Sequence, residues 1–217
     1  HYSQAAETLR GFAETFGIPV SETQAGKSAM SWKDPMSVGA VGVTGTSAAN
    51  LLAKAADVVL VVGSRLQDFT TASKQIFASD VKLLHLNVSK FDGLKMDSIM
   101  LQADAKSGLE SLSEELLKAK FQTSAEYRGC VSQLQSEWNA EVDRLYNLTS
   151  EEGNVQTSIV GTLNEFMAPE DIVLCAAGSL PGDLHRLWRS EIPKTYHMEY
   201  GYSCMGYEVA GGLGAKM

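Results

Sequence analysis

Residues 42–69 read GVTGTSAANLLAKAADVVLVVGSRLQDF. Thr46 or Ser47 suits a helix N-cap, and Ala49, Leu52 and Ala53 follow as apolar members of that helix. Asp57 then precedes Val58-Val59-Leu60-Val61-Val62, an unbroken apolar run rich in β-branched side chains. Such a run predicts a strand buried on both faces, as in a parallel sheet. Gly63-Ser64-Arg65 turns at its carboxyl end. A capped helix feeding a buried strand and a glycine turn is the repeating unit of an α/β fold.

The same alternation continues in both directions. Upstream, Ala6, Leu9, Phe12, Ala13 and Phe16 fall at helical steps within 3–16, and Gly17 ends that helix. Ile18-Pro19-Val20 reads as a short strand with proline at its edge. The segment 24–27, with Gln24, Gly26 and Lys27, is the loop at its end. Downstream, 82–88 (KLLHLNV) is a second buried strand and 99–103 a weaker one. Asp104 caps a helix with Leu109, Leu112, Leu116 and Leu117 on one face. Residues 1–120 therefore predict a doubly wound, Rossmann-like α/β domain with helices on both faces of a parallel sheet. In such sheets ligands sit at the carboxyl ends of strands, which singles out 24–27, 42–46 and 63–68.

Residues 121–150 change character. Tyr127, Val131, Leu134, Trp138, Val142 and Leu145 stand at helical spacing and predict one long linker helix, read as core packing rather than as a partner-binding face. Residues 151–217 begin a second, incomplete α/β domain: a helix at 154–167 with Ile159, Leu163 and Phe166 on one side, a break at Ala168-Pro169-Glu170, and a buried strand at 171–176. That strand ends at Ala177-Gly178-Ser179. A short helix at 181–188 and a strand at 195–198 follow. The closing EYGYSCMGYEVAGGLGAKM (199–217) is apolar and glycine-rich, which predicts a polypeptide cut in mid-element.

Composition narrows the function. The 217 residues are 44% hydrophobic and 20% charged with a net charge of -8, which is ordinary globular chemistry and excludes a basic nucleic-acid binder. No apolar run reaches the ~18 residues of a membrane helix. Cys130, Cys175 and Cys204 are odd in number and lack C-x-x-C spacing, as expected of reduced thiols in the cytoplasm.

Candidate sites are few. Gly42-Val43-Thr44-Gly45-Thr46-Ser47 either presents backbone N–H groups to a phosphate or supplies tight turns. Its spacing is neither G-x-G-x-x-G nor a P-loop. His85, inside an apolar strand, reads as a satisfied core histidine. His185 and His197 lack partners at metal-ligand spacing, and His197 with Glu199 does not make a zinc site. Gly178-Ser179, after a buried strand and before a helix, and Ser203-Cys204-Met205-Gly206, before a glycine-rich helix, have the better geometry for a ligand.

Together, FGIPVSETQAGKSAM (16–30), the stretch 42–69, KLLHLNV and MGYEVAGGLGAKM (205–217) resemble the thiamine-diphosphate-dependent enzymes of the acetolactate synthase type. GSLPGDLHRLW (178–188) and YHMEYGYSCMGYE (196–208) look closest to members that open a cyclic 1,2-diketone in myo-inositol catabolism. The resemblance implies a central domain, a linker and the front of a diphosphate-binding domain, with thiamine diphosphate and magnesium as cofactors. It implies that Gly178, Ser179 and Leu180 approach the diphosphate. Met205 would prop the bent cofactor, and the backbone of Ser203, Cys204 and Gly206 would meet the aminopyrimidine. It implies a small polyol-derived diketone as substrate, a homodimer or homotetramer, and no nucleic-acid or membrane partner. The family's Gly-Asp-Gly magnesium motif and activating glutamate are not in this sequence, so no catalytic or metal residue is assigned and the chain alone is expected to be inactive. GSLPGDLHRLW also departs from the shorter glycine–histidine loop of acetolactate synthases. The alternatives are an acetolactate synthase-like carboligase or decarboxylase, and a nucleotide-binding or purely structural dimerisation module.

Overall fold

The computed structural model describes residues 1–176, 178–199 and 201–217. Ala177, expected in the turn after the 171–176 strand, and Tyr200, in the closing segment, lie outside the described residues. Helix α1 (Ala6–Phe16) buries Phe12, Ala13 and Phe16 and ends at Gly17, left-handed at φ 68°. Strand β1 spans Val20–Glu22, later than the expected 18–20. Pro19 has no N–H to give a ladder, so pairing starts at Val20, whose N–H donates to Met36 O at 2.7 Å. Strand β2 (Ser37–Ala40) pairs with β1 in parallel, Val20 opposite Ser37 and Glu22 opposite Ala40. The sequence did not announce β2, since four residues interrupted by a glycine carry little pattern.

Helix α2 (Ser47–Ala55) is capped by Thr46, whose Oγ1 accepts from Ala49 N at 3.0 Å. Strand β3 (Val58–Val62), the short α3 (Asp68–Thr71), β4 (Lys82–Asn87), α4 (Lys90–Gly93), a 3-10 turn (Lys95–Asp97) and β5 (Ile99–Gln102) follow. β3, β4 and β5 form a parallel sheet in that order. Helix α5 (Ala105–Lys118) is capped by Asp104, which accepts from the N–H groups of Lys106 and Ser107. β3 departs from its expected burial on both faces: only Val61 is buried and Val58 is 47% exposed. It lies at the edge of its sheet, and among the described residues no strand flanks its other side.

The next helix, α6 (Ala125–Tyr146), is 22 residues long, capped by Ser124, and so about 33 Å from end to end. It joins two cores. Val131 packs with Val38, Ala48, Ala49 and Leu52 under β2 and α2. Val142 packs with Val160, Val173, Leu184, Leu187 and Trp188. Trp138 touches both clusters. The expected core-packing role of the helix therefore holds along its buried face.

A third cluster places Phe12, Phe16 and Leu109 of α1 and α5 against Leu86 of β4. Leu109 is fully buried. Leu109→Ala is expected to cost about 3 kcal/mol through lost contacts and a residual cavity, read as a lower urea midpoint with an unchanged slope.

The C-terminal part holds α7 (Gln156–Phe166), β6 (Val173–Cys175), α8 (Leu180–Leu187), β7 (Tyr196–Met198) and α9 (Tyr207–Lys216). β6 and β7 pair in parallel with Cys175 opposite Met198. On α7 the apolar stripe Ile159, Leu163 and Phe166 faces outward, Phe166 at 85% exposure. Val160 and Gly161 are the buried residues instead. Gly161 lets α7 approach α6, because a Cβ there would stand 2.7 Å from Tyr146 Cβ. The fold is α/β with parallel strands throughout, divided among short sheets. No helix of the described residues is long and apolar enough to cross a membrane.

Candidate functional site

The two C-terminal segments singled out in the sequence follow neighbouring strands. Residues 178–180 come after β6, and Glu199 and 201–206 come after the adjacent parallel β7. Glu199 N donates to Cys175 O at 3.1 Å, and Ala176 N donates to Glu208 Oε1 at 3.2 Å. Strand-end backbone and the first turn of α9 are thus fastened to each other. Gly178 takes φ 100° and Gly206 φ 86°, and a Cβ on either would meet open space. Ser179, at the N-cap of α8, makes no side-chain cap bond. Gly178, Ser179, Leu180, Ser203, Cys204, Met205 and Gly206 are all exposed, Met205 at 89%.

Two carboxylates organise the second segment, and neither role was legible beforehand. Glu199 accepts from Cys204 N at 2.8 Å and Tyr202 N at 3.1 Å. The Cys204 amide, then that of Tyr202, holds its carboxyl below the usual range. Glu208 Oε2 accepts from Gly206 N at 3.1 Å while its other oxygen holds Ala176. His197 lies 2.8 Å from Tyr207 Oη. Among the described residues no group of three or more His, Cys, Asp or Glu could hold a metal ion.

These features suit a ligand with an anionic end and a flat apolar end. At the start of α8 Pro181 has no N–H and the Gly182 and Asp183 amides donate to Ser179 O at 3.0 and 3.3 Å, so what the segment offers an anion is the open space at Gly178 and the backbone of 178–180. Met205 offers an apolar surface a few residues away. Thiamine diphosphate has both kinds of end, so the residues present fit part of that cofactor.

The glycine loop 42–46 resolves differently. Gly42 N donates to Asn50 Oδ1 at 2.9 Å. Val43 N, Gly45 N and Thr46 N donate to Phe69 O, Gly42 O and Ala40 O at 2.8, 2.9 and 2.8 Å. Its amides are spent within the chain, which favours the tight-turn reading over the phosphate reading. His85 is only half satisfied: Nε2 is 2.8 Å from Ser64 O, and Nδ1 is buried without a hydrogen-bond partner.

Behind α8 lies a buried polar cluster. Glu22 and Lys27 are 6% and 5% exposed. Burial pushes the Glu22 carboxyl up and the Lys27 ammonium down, each partly opposed by the other's charge. His185 is fully buried, and burial, with Lys27 nearby, pushes it down to about 3. A base lowered in the folded state leaves the native chain with fewer bound protons than the unfolded chain below about pH 6.5. Stability is therefore lost as pH falls from about 6.5 toward about 3, by about 1.4 kcal/mol per pH unit from this group. Urea titrations of the wild-type chain and His185→Gln between about pH 6 and about pH 4 are expected to differ by that slope, while the raised Glu22 carboxyl contributes with the opposite sign to both.

The family model described as thiamine pyrophosphate enzyme, central domain, matches residues 1–112. The chain is 46% identical over 241 aligned positions to a 3D-(3,5/4)-trihydroxycyclohexane-1,2-dione hydrolase of Bacillus cereus, covering 100% of this chain and 37% of that protein. A hydrolase of the same name from Bacillus thuringiensis is also 46% identical, and one from Clostridium tetani 43%, each over 100% of this chain and 37% of its own length. The chain thus spans 37% of the length of these curated relatives. With a central-domain match across its α/β front half, the chain belongs to the thiamine pyrophosphate enzyme family.

Proposed function

We propose that this chain is the central and early C-terminal part of a thiamine-diphosphate-dependent hydrolase that opens the cyclic 1,2-diketone trihydroxycyclohexane-1,2-dione in myo-inositol catabolism. The observation that carries the reading is that 178–180 and 203–206 follow the adjacent parallel strands β6 and β7, with Ala176 N bonded to Glu208 Oε1 beyond the strand ends. The names and high identity of the relatives support the substrate. The proposed cofactor supplies a carbon nucleophile and an electron sink. Hydrolysis between two adjacent ring carbonyls is redox-neutral: the carbon–carbon bond breaks, water's oxygen ends on one carbon as a carboxylate, and the other carbon gains hydrogen and becomes the aldehyde at the far end of the same opened chain.

In this scheme the chain's own residues bind and orient. The backbone of Gly178, Ser179 and Leu180 receives the diphosphate, Met205 supports the cofactor's bend, and the backbone of Ser203, Cys204 and Gly206 faces the pyrimidine. Glu199 and Glu208 hold those segments in place. Magnesium, the activating glutamate and the subunit partner of a homodimer or homotetramer come from outside the chain, in the cytoplasm. The nucleotide-module alternative gains nothing from the 42–46 loop, whose amides are already bonded.

Dialysing the complete enzyme against a chelator is expected to abolish ring opening, and thiamine diphosphate with magnesium to restore it. Activity indifferent to the cofactor would sink the reading. Met205→Ala is expected to raise the half-saturating thiamine diphosphate concentration about tenfold, the equivalent of about 1.4 kcal/mol. The 217-residue chain mixed with both cofactors is expected to show no turnover.

A further inference from the structure

His185 is wholly buried, yet it belongs to α8, which starts at the proposed diphosphate loop. Its Nδ1 lies 2.8 Å from Thr44 Oγ1. The backbone of Thr23, Thr44 and Glu22 surrounds the ring, so the imidazole sits where β1 ends and the 42–46 loop begins. A Cβ on Gly182 would stand 3.1 Å from Thr44 Cγ2, its nearest neighbour. α8 therefore lies directly on the loop. Open parallel sheets bind ligands at such strand ends. Here the chain's own histidine fills the place.

The loop that receives His185 is fixed. Four of its amides are bonded within the N-terminal part, and Asn50 Nδ2 also donates to Gly42 O at 2.9 Å. On the other side of α8, Gln156 Nε2 donates to Asp183 Oδ2 at 2.6 Å. The helix is thus held between a rigid turn and α7 while Leu180 at its start stays exposed. Leu184, Leu187 and Trp188 bury its remaining face; the Thr44–His185 contact ties the helix itself to the loop, while Trp32 N donating to Ser190 O at 3.0 Å crosses the seam just past its end.

We propose that Thr44 and His185 form a positioning joint that sets where α8 begins and so holds the backbone of 178–180 in the geometry an anionic cofactor end requires. The proposal rests on the thiamine diphosphate reading above. Neither residue touches the cofactor; both act through α8. Loss of that one hydrogen bond lets the helix shift without detaching it.

Two variants and two readouts test the joint. Thr44→Val keeps the shape and removes the hydroxyl, and Thr44→Ser keeps the hydroxyl. Hydrogen exchange of the α8 amides is measured in the 217-residue chain. The half-saturating thiamine diphosphate concentration and kcat are measured in the complete enzyme. Thr44→Val is expected to speed α8 exchange about fivefold and raise half-saturation about fivefold, with kcat at saturating cofactor nearly unchanged. Thr44→Ser is expected to restore both. Unchanged exchange in α8, or equal acceleration in α2 and α5, overturns the joint. So does faster exchange with an unmoved half-saturation in a cofactor-dependent enzyme. An enzyme indifferent to thiamine diphosphate overturns the cofactor reading itself, and the exchange data then show separately whether the contact is real.

Discussion

Gly42→Val is expected to destabilise the chain by about 4 kcal/mol, the sum of a strained backbone and an overpacked contact. Gly42 holds φ 111°, a conformation L side chains rarely adopt, and a Cβ there would collide with Phe69 O and stand 2.8 Å from Thr70 Cα. Those are backbone atoms, which cannot swing aside as a side-chain tip can. Relieving the clash means moving the loop away from α3. That breaks the Val43 N to Phe69 O bond and draws Thr44 away from His185. For a chain of this size about 4 kcal/mol corresponds to a fall of about 10 °C in Tm. Gly63→Ala is the control, because Gly63 has φ 62° but open space around it. It is expected to cost only about 1 kcal/mol. Thermal unfolding by circular dichroism measures both, and similar Tm values for the two variants would overturn the steric argument.

The second large effect concerns binding rather than folding. Gly178→Val in the complete enzyme is expected to raise half-saturating thiamine diphosphate about 100-fold, or about 2.7 kcal/mol. Gly178 has φ 100°, and no protein atom lies within 4 Å of where a Cβ would stand, so the chain itself has little to collide with. The branched side chain would stand in the open space above the first turn of α8, where the diphosphate is proposed to approach. Strain at the positive φ adds about 1–3 kcal/mol to holding the loop in its present shape. Calorimetric titration of the complete apoenzyme separates this from unfolding: Tm is expected to fall by only a few degrees while affinity drops about 100-fold. Unchanged affinity would remove 178–180 from the binding site.

Much of this architecture was legible because its signals are local. Gly17 ends α1, Thr46 caps α2 and Asp104 caps α5 through short-range hydrogen bonds. The valine run of β3 announced its strand but not its burial, since burial depends on neighbours that sequence pattern does not specify. β2 escaped notice because Ser37-Val38-Gly39-Ala40 is too short to show alternation. On α7 the stripe of Ile159, Leu163 and Phe166 pointed to the wrong face; the tight approach of Gly161 to Tyr146 decided the packing instead. At the site, the segments 178–180 and 203–206 stood out by their glycines and their position after strands. The Thr44–His185 and Ala176–Glu208 contacts did not, because their partners lie across the fold, and the local bonds from Glu199 to Tyr202 and Cys204 follow no spacing that a motif announces. Thr44 and His185 are 141 positions apart.

Trp138 belongs to two cores at once, and that sharing bears on how the molecule comes apart. Melting either cluster strips contacts from the same indole and loosens the grip of α6 on the other. Heating is therefore expected to give one cooperative endotherm rather than two. Trp138→Ala is expected to split it, so that the two halves denature as separate calorimetric events.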